Sequence, residues 1–381
     1  MRIGSGLSTH LDPLRAAEEA VAEVAAGVIP GEASVVLAFV SSDHRDAAED
    51  IAGVLRDCFG RAEIAGCVAE GIIGGARELE HGPAVSVWAA DLPGTRVEAF
   101  ALEFDDENAS YSGWPRELPF GSTLILMSDP FTFPVVHLLA QLNEQQPGVQ
   151  VIGGVVSGVH EERQVRMFLG GEVRARGAVG IAVSGQARVG TLVSQGCRAI
   201  GEPMIITRAD RNLIFELGGQ RPVDRIRDIW SKVEPAERAL MANGPLFIGR
   251  VVDEYKTDFG RGDFVVRNVM GADAEKGFIV VADVVEVGET IQFHVRDPRA
   301  ADEDLRQMLG SVSSPTSGAL LFTCNGRGSN MFEEQDHDAA AVHKGLGEVP
   351  LAGFFANGEI GPLSGQNFLH GHTASLAIFG P

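Results

Sequence analysis

The chain has 381 residues, with 31 Lys and Arg against 52 Asp and Glu, a formal charge of −21 at pH 7. Hydrophobic residues make up 45% and charged residues 22%, the profile of a globular protein long enough for two domains. So acidic a surface repels phosphate backbones and anionic lipid, which argues against nucleic acid and membrane as partners.

The cysteines are Cys58, Cys67, Cys197 and Cys324, with no C-x-x-C spacing, which suits a reducing compartment. Met1 is not followed by the apolar run of a signal peptide, and no stretch approaches the roughly 20 apolar residues of a membrane span. A cytoplasmic protein is expected.

In chain order, the first element is a helix over 12–27, with Asp12 as N-cap, Pro13 in the first turn and Gly27 as stop. An apolar strand, "SVVLAFVSSD" (34–43), precedes a helix over 46–60 that puts Ala47, Ile51, Val54, Leu55 and Cys58 on one face and ends at Gly60. The glycine motif "IAGCVAEGIIGG" (64–75) comes next. Two extended runs, 84–91 and 96–104, are joined by Leu-Pro-Gly and read as an antiparallel hairpin.

The same order recurs twice. "STLILMSDP" (122–130), a helix over 133–145 and "VIGGVVSG" (151–158) make a second copy. "GALLFTCNGRG" (318–328), a helix over 336–347 and "LAGFFANGEIGP" (351–362) make a third. A strand, a helix and a second strand form a crossover unit whose strands lie parallel. The expected pairs are 34–40 with 62–66, 122–128 with 149–153, and 318–324 with 349–353. A helix over 221–233 follows a Gly-Gln-Arg-Pro turn, the best boundary between a module at 1–219 and one at 220–381. The fold class is therefore α/β: two related, intimately packed halves, with mixed sheets built from strand–helix–strand units and hairpins and flanked by helices.

Ligands in such sheets sit beyond the carboxyl ends of the parallel strands. Cys324, Asn325, Gly326 and Arg327 end the third copy's first strand. Arg327 is suited to bidentate capture of a carboxylate or phosphate, or to pairing with a local acid such as Glu333. Cys324 reads either as a nucleophile, with His337, His343, His370 or His372 as base, or as a buried residue closing a strand. The second reading carries the expectation of no base at the thiol and slow alkylation. Asn357 and Gly358 permit a tight turn, and Glu359 beside them could receive an amine or cap a turn. Arg327 and Glu359 together would suit a zwitterion, or would pair with each other. "GSGLS" (4–8) matches no phosphate loop, "RGD" (261–263) reads as chance, and "HGH" (370–372) lacks a third ligand, so no metal and no cofactor is expected.

The stretches "GFIVVADVVEVGETIQFHVRD" (277–297), "GALLFTCNGRG" and "PLAGFFANGEIGP" closely resemble the C-terminal module of FIST domain proteins. "AGCVAEGIIGG", the extended runs and "VIGGVVSG" are similar to their N-terminal module. The resemblance implies a sensory role in which a small ligand, an amino acid or related metabolite, is bound. In bacteria the family is often joined to signalling modules, and a eukaryotic branch sits in ubiquitin-ligase receptors. The chain ends just after the last motif, so a stand-alone sensor is expected, signalling through a separate protein partner. Carried over as pocket candidates are Cys324, Gly326, Arg327, Gly353, Asn357, Gly358 and Glu359, with Arg296 and Asp297 from the "HVRD" strand end. The alternatives are a cysteine-dependent hydrolase or acyl transferase centred on Cys324, and a ligand-free scaffold whose glycines only permit tight packing.

Overall fold

In the computed structural model, which describes residues 1–380, three stretches of chain build one local structure. Strand Val35–Ser41 runs parallel to Glu63–Ala69, with helix Ala48–Phe59 between them. Strand Thr123–Ser128 runs parallel to Gln150–Val155 across helix Val135–Gln145. Strand Gly318–Cys324 runs parallel to Leu351–Ala356 across helix His337–Leu346. All three pairings are those the repeated order predicts. The strands are apolar almost without interruption because both faces of each sheet are covered.

One glycine recurs at the same place in each copy. Gly66, Gly153 and Gly353 stand opposite Ala38, Leu126 and Leu321 on the neighbouring parallel strand. A Cβ there would lie 1.9, 2.0 and 1.7 Å from the carbonyl oxygens of those residues. The shared glycine thus sets how closely the two strands approach, which is a packing role.

Beyond its second parallel strand, each copy hands the chain to another copy. Ile72–Gly74 leaves the first unit and pairs antiparallel with Leu351–Ala356 of the third. Glu359–Leu363 leaves the third and pairs with Gln150–Val155 of the second. Met167–Leu169 leaves the second and pairs with Glu63–Ala69 of the first. The exchange is cyclic, and it ties three mixed sheets into one body.

The expected hairpin between 84–91 and 96–104 does not form. Strand Val85–Asp91 lies between Arg2–Ser8 and Val35–Ser41, so both its edges are occupied. The turn at Leu92–Gly94 therefore carries the chain into a different sheet, where Thr95–Asp105 pairs with Ala178–Gly185. The glycines of "GSGLS" lie in that first strand. Gly6 leaves room for the helix Pro13–Val24, since a Cβ on it would meet the Ala20 carbonyl oxygen at 2.0 Å.

The chain divides into two compact units. The first comprises Met1–Val193, Leu305–Leu369 and the chain from Thr373 on, and it holds all three copies. The second comprises Ser194–Asp304 with His370–His372. It is a closed barrel in the strand order Cys197–Asp210, Leu213–Leu217, Ile279–Val281, Phe264–Ala272, Leu246–Val251, Thr290–Arg296. Closure leaves no strand edge bare, and Ile206, Ile248, Phe293 and Val295 fill the interior. These units divide the chain differently from the sequence modules 1–219 and 220–381, because the last strand–helix–strand copy folds with the first two. Among the described residues, no helix is long and apolar enough to cross a membrane.

Candidate functional site

The three crossings of the exchanged chain meet in the first unit, at the carboxyl ends of the parallel strands. Ser157 is the knot: its Oγ accepts from the Glu70 amide at 2.9 Å and donates to the Phe355 carbonyl oxygen. The Phe355 amide donates to the Gly71 carbonyl, and the Asn357 amide to the Val155 carbonyl, both at 2.9 Å. Each copy contributes one turn to this junction.

Over it opens a cup of about 220 Å³ lined by Glu70, Glu80, His81, Asn325, Ser329 and Asn330, with Gly71 and Phe355. Glu80 accepts from the Ser329 amide at 2.8 Å and its hydroxyl at 2.7 Å, which pins the loop after Arg327. Asn325 donates through Nδ2 to Glu70 at 3.2 Å, while its buried Oδ1 has no donor. Two carboxylates line this cup and no Lys or Arg does. Its electrostatics favour a cationic or amine-bearing guest.

Beneath the Asn325 loop lies a buried charge cluster. Arg327 is fully buried and grips Asp338 at two points, Nε to Oδ2 at 2.7 Å and Nη2 to Oδ1 at 2.8 Å. Thr323 Oγ1 donates to Asp338 at 2.6 Å, and His337 Nδ1 lies 2.9 Å from it while its ring stacks on Phe332. Burial alone would push the Asp338 carboxyl up; the Arg327 charge and hydrogen bonds overcome that and hold it well below the usual carboxylate range. Glu78 accepts from the Ala339 amide at 2.8 Å, and burial, reinforced by Asp338, pushes it up to about 8. The partner of Arg327 is thus neither Glu333 nor Glu359. Its guanidinium keeps one nitrogen, Nη1, without an acceptor.

Glu359 arrives on an exchanged strand and is also fully buried. Its Oε2 accepts from the Thr373 amide at 3.0 Å and the Thr373 hydroxyl at 2.7 Å. Burial pushes its carboxyl up to about 7, against the hydrogen bonds from Thr373 and from the Cys324 thiol and against the Arg327 charge. Cys324 is half-buried, and the Gly326 amide donates to its sulfur at 3.4 Å. The titratable group that acts on this carboxyl from the strand end is thus a thiol, and strand exchange, invisible in local sequence, brings Glu359 there. His337 is occupied by Asp338, and His372 sits edge-on against Phe247 in the second unit.

The other candidates separate. Asn357 is exposed, and Gly358, at φ +127°, accepts from the Val155 amide through its carbonyl, so this pair shapes the crossing. Arg296 and Asp297 belong to the second unit. Asp297 there pairs with Arg198 at 2.9 Å and caps the amides of Arg299 and Ala300, a structural task. Arg296 stands opposite Cys197 in the barrel. Sequence reasoning missed Glu80, Ser329, Ser157, Glu78 and Asp338. Only Glu70 left a signal, since it occupies the place of Asn357 in the repeat.

The family model of the FIST N domain matches residues 34–220, and that of the FIST C domain matches residues 223–362. An uncharacterized protein of Mycobacterium tuberculosis (strain ATCC 25618 / H37Rv) is 44% identical over 385 residues, covering all of both chains. An uncharacterized protein of Mycobacterium bovis (strain ATCC BAA-935 / AF2122/97) is 44% identical over 386 residues, covering all of this chain and 99% of its own.

Proposed function

Because the chain belongs to the FIST family, we propose that it is a sensory protein that binds a small, amine-bearing polar metabolite of amino-acid size in the acidic cup and signals through a separate protein partner. The observation that carries this reading is the cup itself: Glu70 and Glu80 at its wall and a buried Asn325 Oδ1 without a donor. An ammonium group supplies both the positive charge and the missing donor. The cup, about 220 Å³, has room for a group of amino-acid size. Arg327 and Glu359 support the loop from below instead of meeting the ligand. Of the sequence-derived set, Asn325 is the residue that lines the cup.

The test is a thermal-shift screen over amino acids, diamines, dicarboxylates and nucleotides. A ligand at 100-fold its Kd stabilises the native state by about 2.7 kcal/mol. Amino acids or diamines should raise Tm, and Glu70→Gln and Asn325→Ala should each remove the shift. A shift that both variants retain, or that only dicarboxylates produce, overturns the reading.

A further inference from the structure

The cup sorts amine-bearing guests by the charge they bring. Its two carboxylates, Glu70 and Glu80, are matched by no lysine or arginine among the described residues that line it. Neutral donors hold them instead: Asn325 Nδ2 on Glu70 at 3.2 Å, and the Ser329 amide and hydroxyl on Glu80 at 2.8 and 2.7 Å. Those contacts orient both side chains and leave their negative charge uncancelled. Arg327 beneath is no counter-ion for them, because it is fully buried and Asp338 grips it at two points. A Cβ on Gly328 would lie 2.7 Å from Glu80 Oε1 and 2.9 Å from the Phe355 ring, and one on Gly71 would lie 2.7 Å from that ring. Two glycines therefore let the Glu80 carboxylate and an apolar ring sit side by side at the cup. Asn325 Oδ1 is buried and lacks a donor, and the contact of Nδ2 with Glu70 fixes the amide in this orientation. The cup thus offers acceptors and a ring, and no ammonium or guanidinium.

On the reading that the cup binds an amine, we propose that its ligand is a short aliphatic diamine that carries no carboxylate. One ammonium meets Glu70 and Asn325 Oδ1, the other meets Glu80, and the methylenes between them lie against Phe355. Such a dication cancels both carboxylates of the cup. A zwitterionic amino acid brings as much negative charge as positive, and its carboxylate finds no lysine or arginine to receive it. Like charges brought together in one site cost affinity, so the same walls that attract the diamine reject the amino acid.

Cadaverine and lysine are a matched pair of probes, since lysine is cadaverine with an added α-carboxylate, and pentylamine keeps the chain with a single amine. Calorimetric titration of the full chain with each, at low salt, reads the difference. Cadaverine should bind about tenfold or more tightly than either lysine or pentylamine, the effect of one charged hydrogen bond lost or one carboxylate left unmatched. Glu70→Gln and Glu80→Gln should each bring cadaverine down to the affinity of pentylamine. If Glu80→Gln lowers the ligand-free Tm by releasing the Ser329 loop, Glu70→Gln, whose side chain is exposed, decides in its place. Lysine binding as tightly as cadaverine, or a cadaverine advantage that survives Glu70→Gln, overturns the diamine and leaves the amine-binding cup standing. So does binding by none of the three in a chain that another amino acid stabilises. No thermal shift from any amine overturns both readings.

Discussion

Arg327 and Asp338 form a two-point ion pair, 2.7 and 2.8 Å long, in which neither side chain is exposed to solvent. Removing two charges from water is costly, and the pair tolerates it only because each charge neutralises the other at bidentate geometry. Breaking one side strands the other. Asp338→Ala should destabilise the protein by about 3–5 kcal/mol in urea unfolding. Replacing both residues with apolar ones of similar volume should cost much less. A single substitution costing under about 1 kcal/mol would mean that solvent reaches the guanidinium.

The same cluster predicts an unusual pH dependence. Glu78, at about 8, and Glu359, at about 7, keep their protons in the folded chain where the unfolded chain, near 4.5, has lost them. Folding takes up protons in that window, so stability is whole below about 4.5 and falls as pH rises through 7 and 8. Asp338 works in the opposite sense: its contribution is present above its ordinary 3.8 and is lost as pH falls below that. The urea midpoint should therefore be higher at pH 6 than at pH 8.5, and Glu78→Gln should narrow the gap. An equal gap in that variant would remove Glu78 from the account.

The repeated glycines make a sharper test of the fold. Gly353→Ala forces a methyl within 1.7 Å of the Leu321 carbonyl, a backbone atom that cannot turn away. It should unfold or strongly destabilise the chain, and Gly66→Ala should act alike. Gly53, inside the helix Ala48–Phe59, has nothing within 4 Å of its added Cβ. Gly53→Ala should stabilise by about 0.5–1 kcal/mol, the ordinary helix-propensity gain. Three substitutions of one kind thus give opposite signs, readable in a single series of melts.

Local order was legible where local physics made it. The helices at Asp12, Ala48 and Val135 follow from caps, prolines and apolar spacing, and the parallel pairs follow from the strand–helix–strand order. What could not be read was which distant chain completes each sheet. Nothing in Ile72–Gly74 specifies Leu351–Ala356 as its partner, so the cyclic exchange stayed hidden and the 84–91 and 96–104 runs were joined by proximity in sequence. The site suffered likewise. Glu333 is the nearest acid after Arg327 in the sequence, yet Asp338 holds it, because the helix His337–Leu346 packs back over the strand end. Glu78 reaches Ala339 across 261 residues, a contact no local pattern announces.

Ser157 links this architecture to the cup. Its hydroxyl accepts from the Glu70 amide at 2.9 Å and donates to the Phe355 carbonyl, so one side chain joins turns from all three copies. It is 1% exposed, so no water can take over the role at that position without displacing packed neighbours. Ser157→Ala leaves a donor and an acceptor unmet, a cost of about 1–3 kcal/mol in urea unfolding. The functional consequence follows from position: Glu70 and Phe355 both line the cup, so freeing the Glu70 turn releases the carboxylate that an amine would meet. Ser157→Ala should therefore weaken any thermal shift given by an amine-bearing ligand, while Ser157→Thr, which keeps the hydroxyl, should retain more of it. Glu80, pinned independently by Ser329, supplies the control, since its geometry does not pass through Ser157. If Ser157→Ala lowers stability but leaves ligand affinity untouched, the junction holds the fold together without positioning the cup, and the Glu70 carboxylate is held by Asn325 instead.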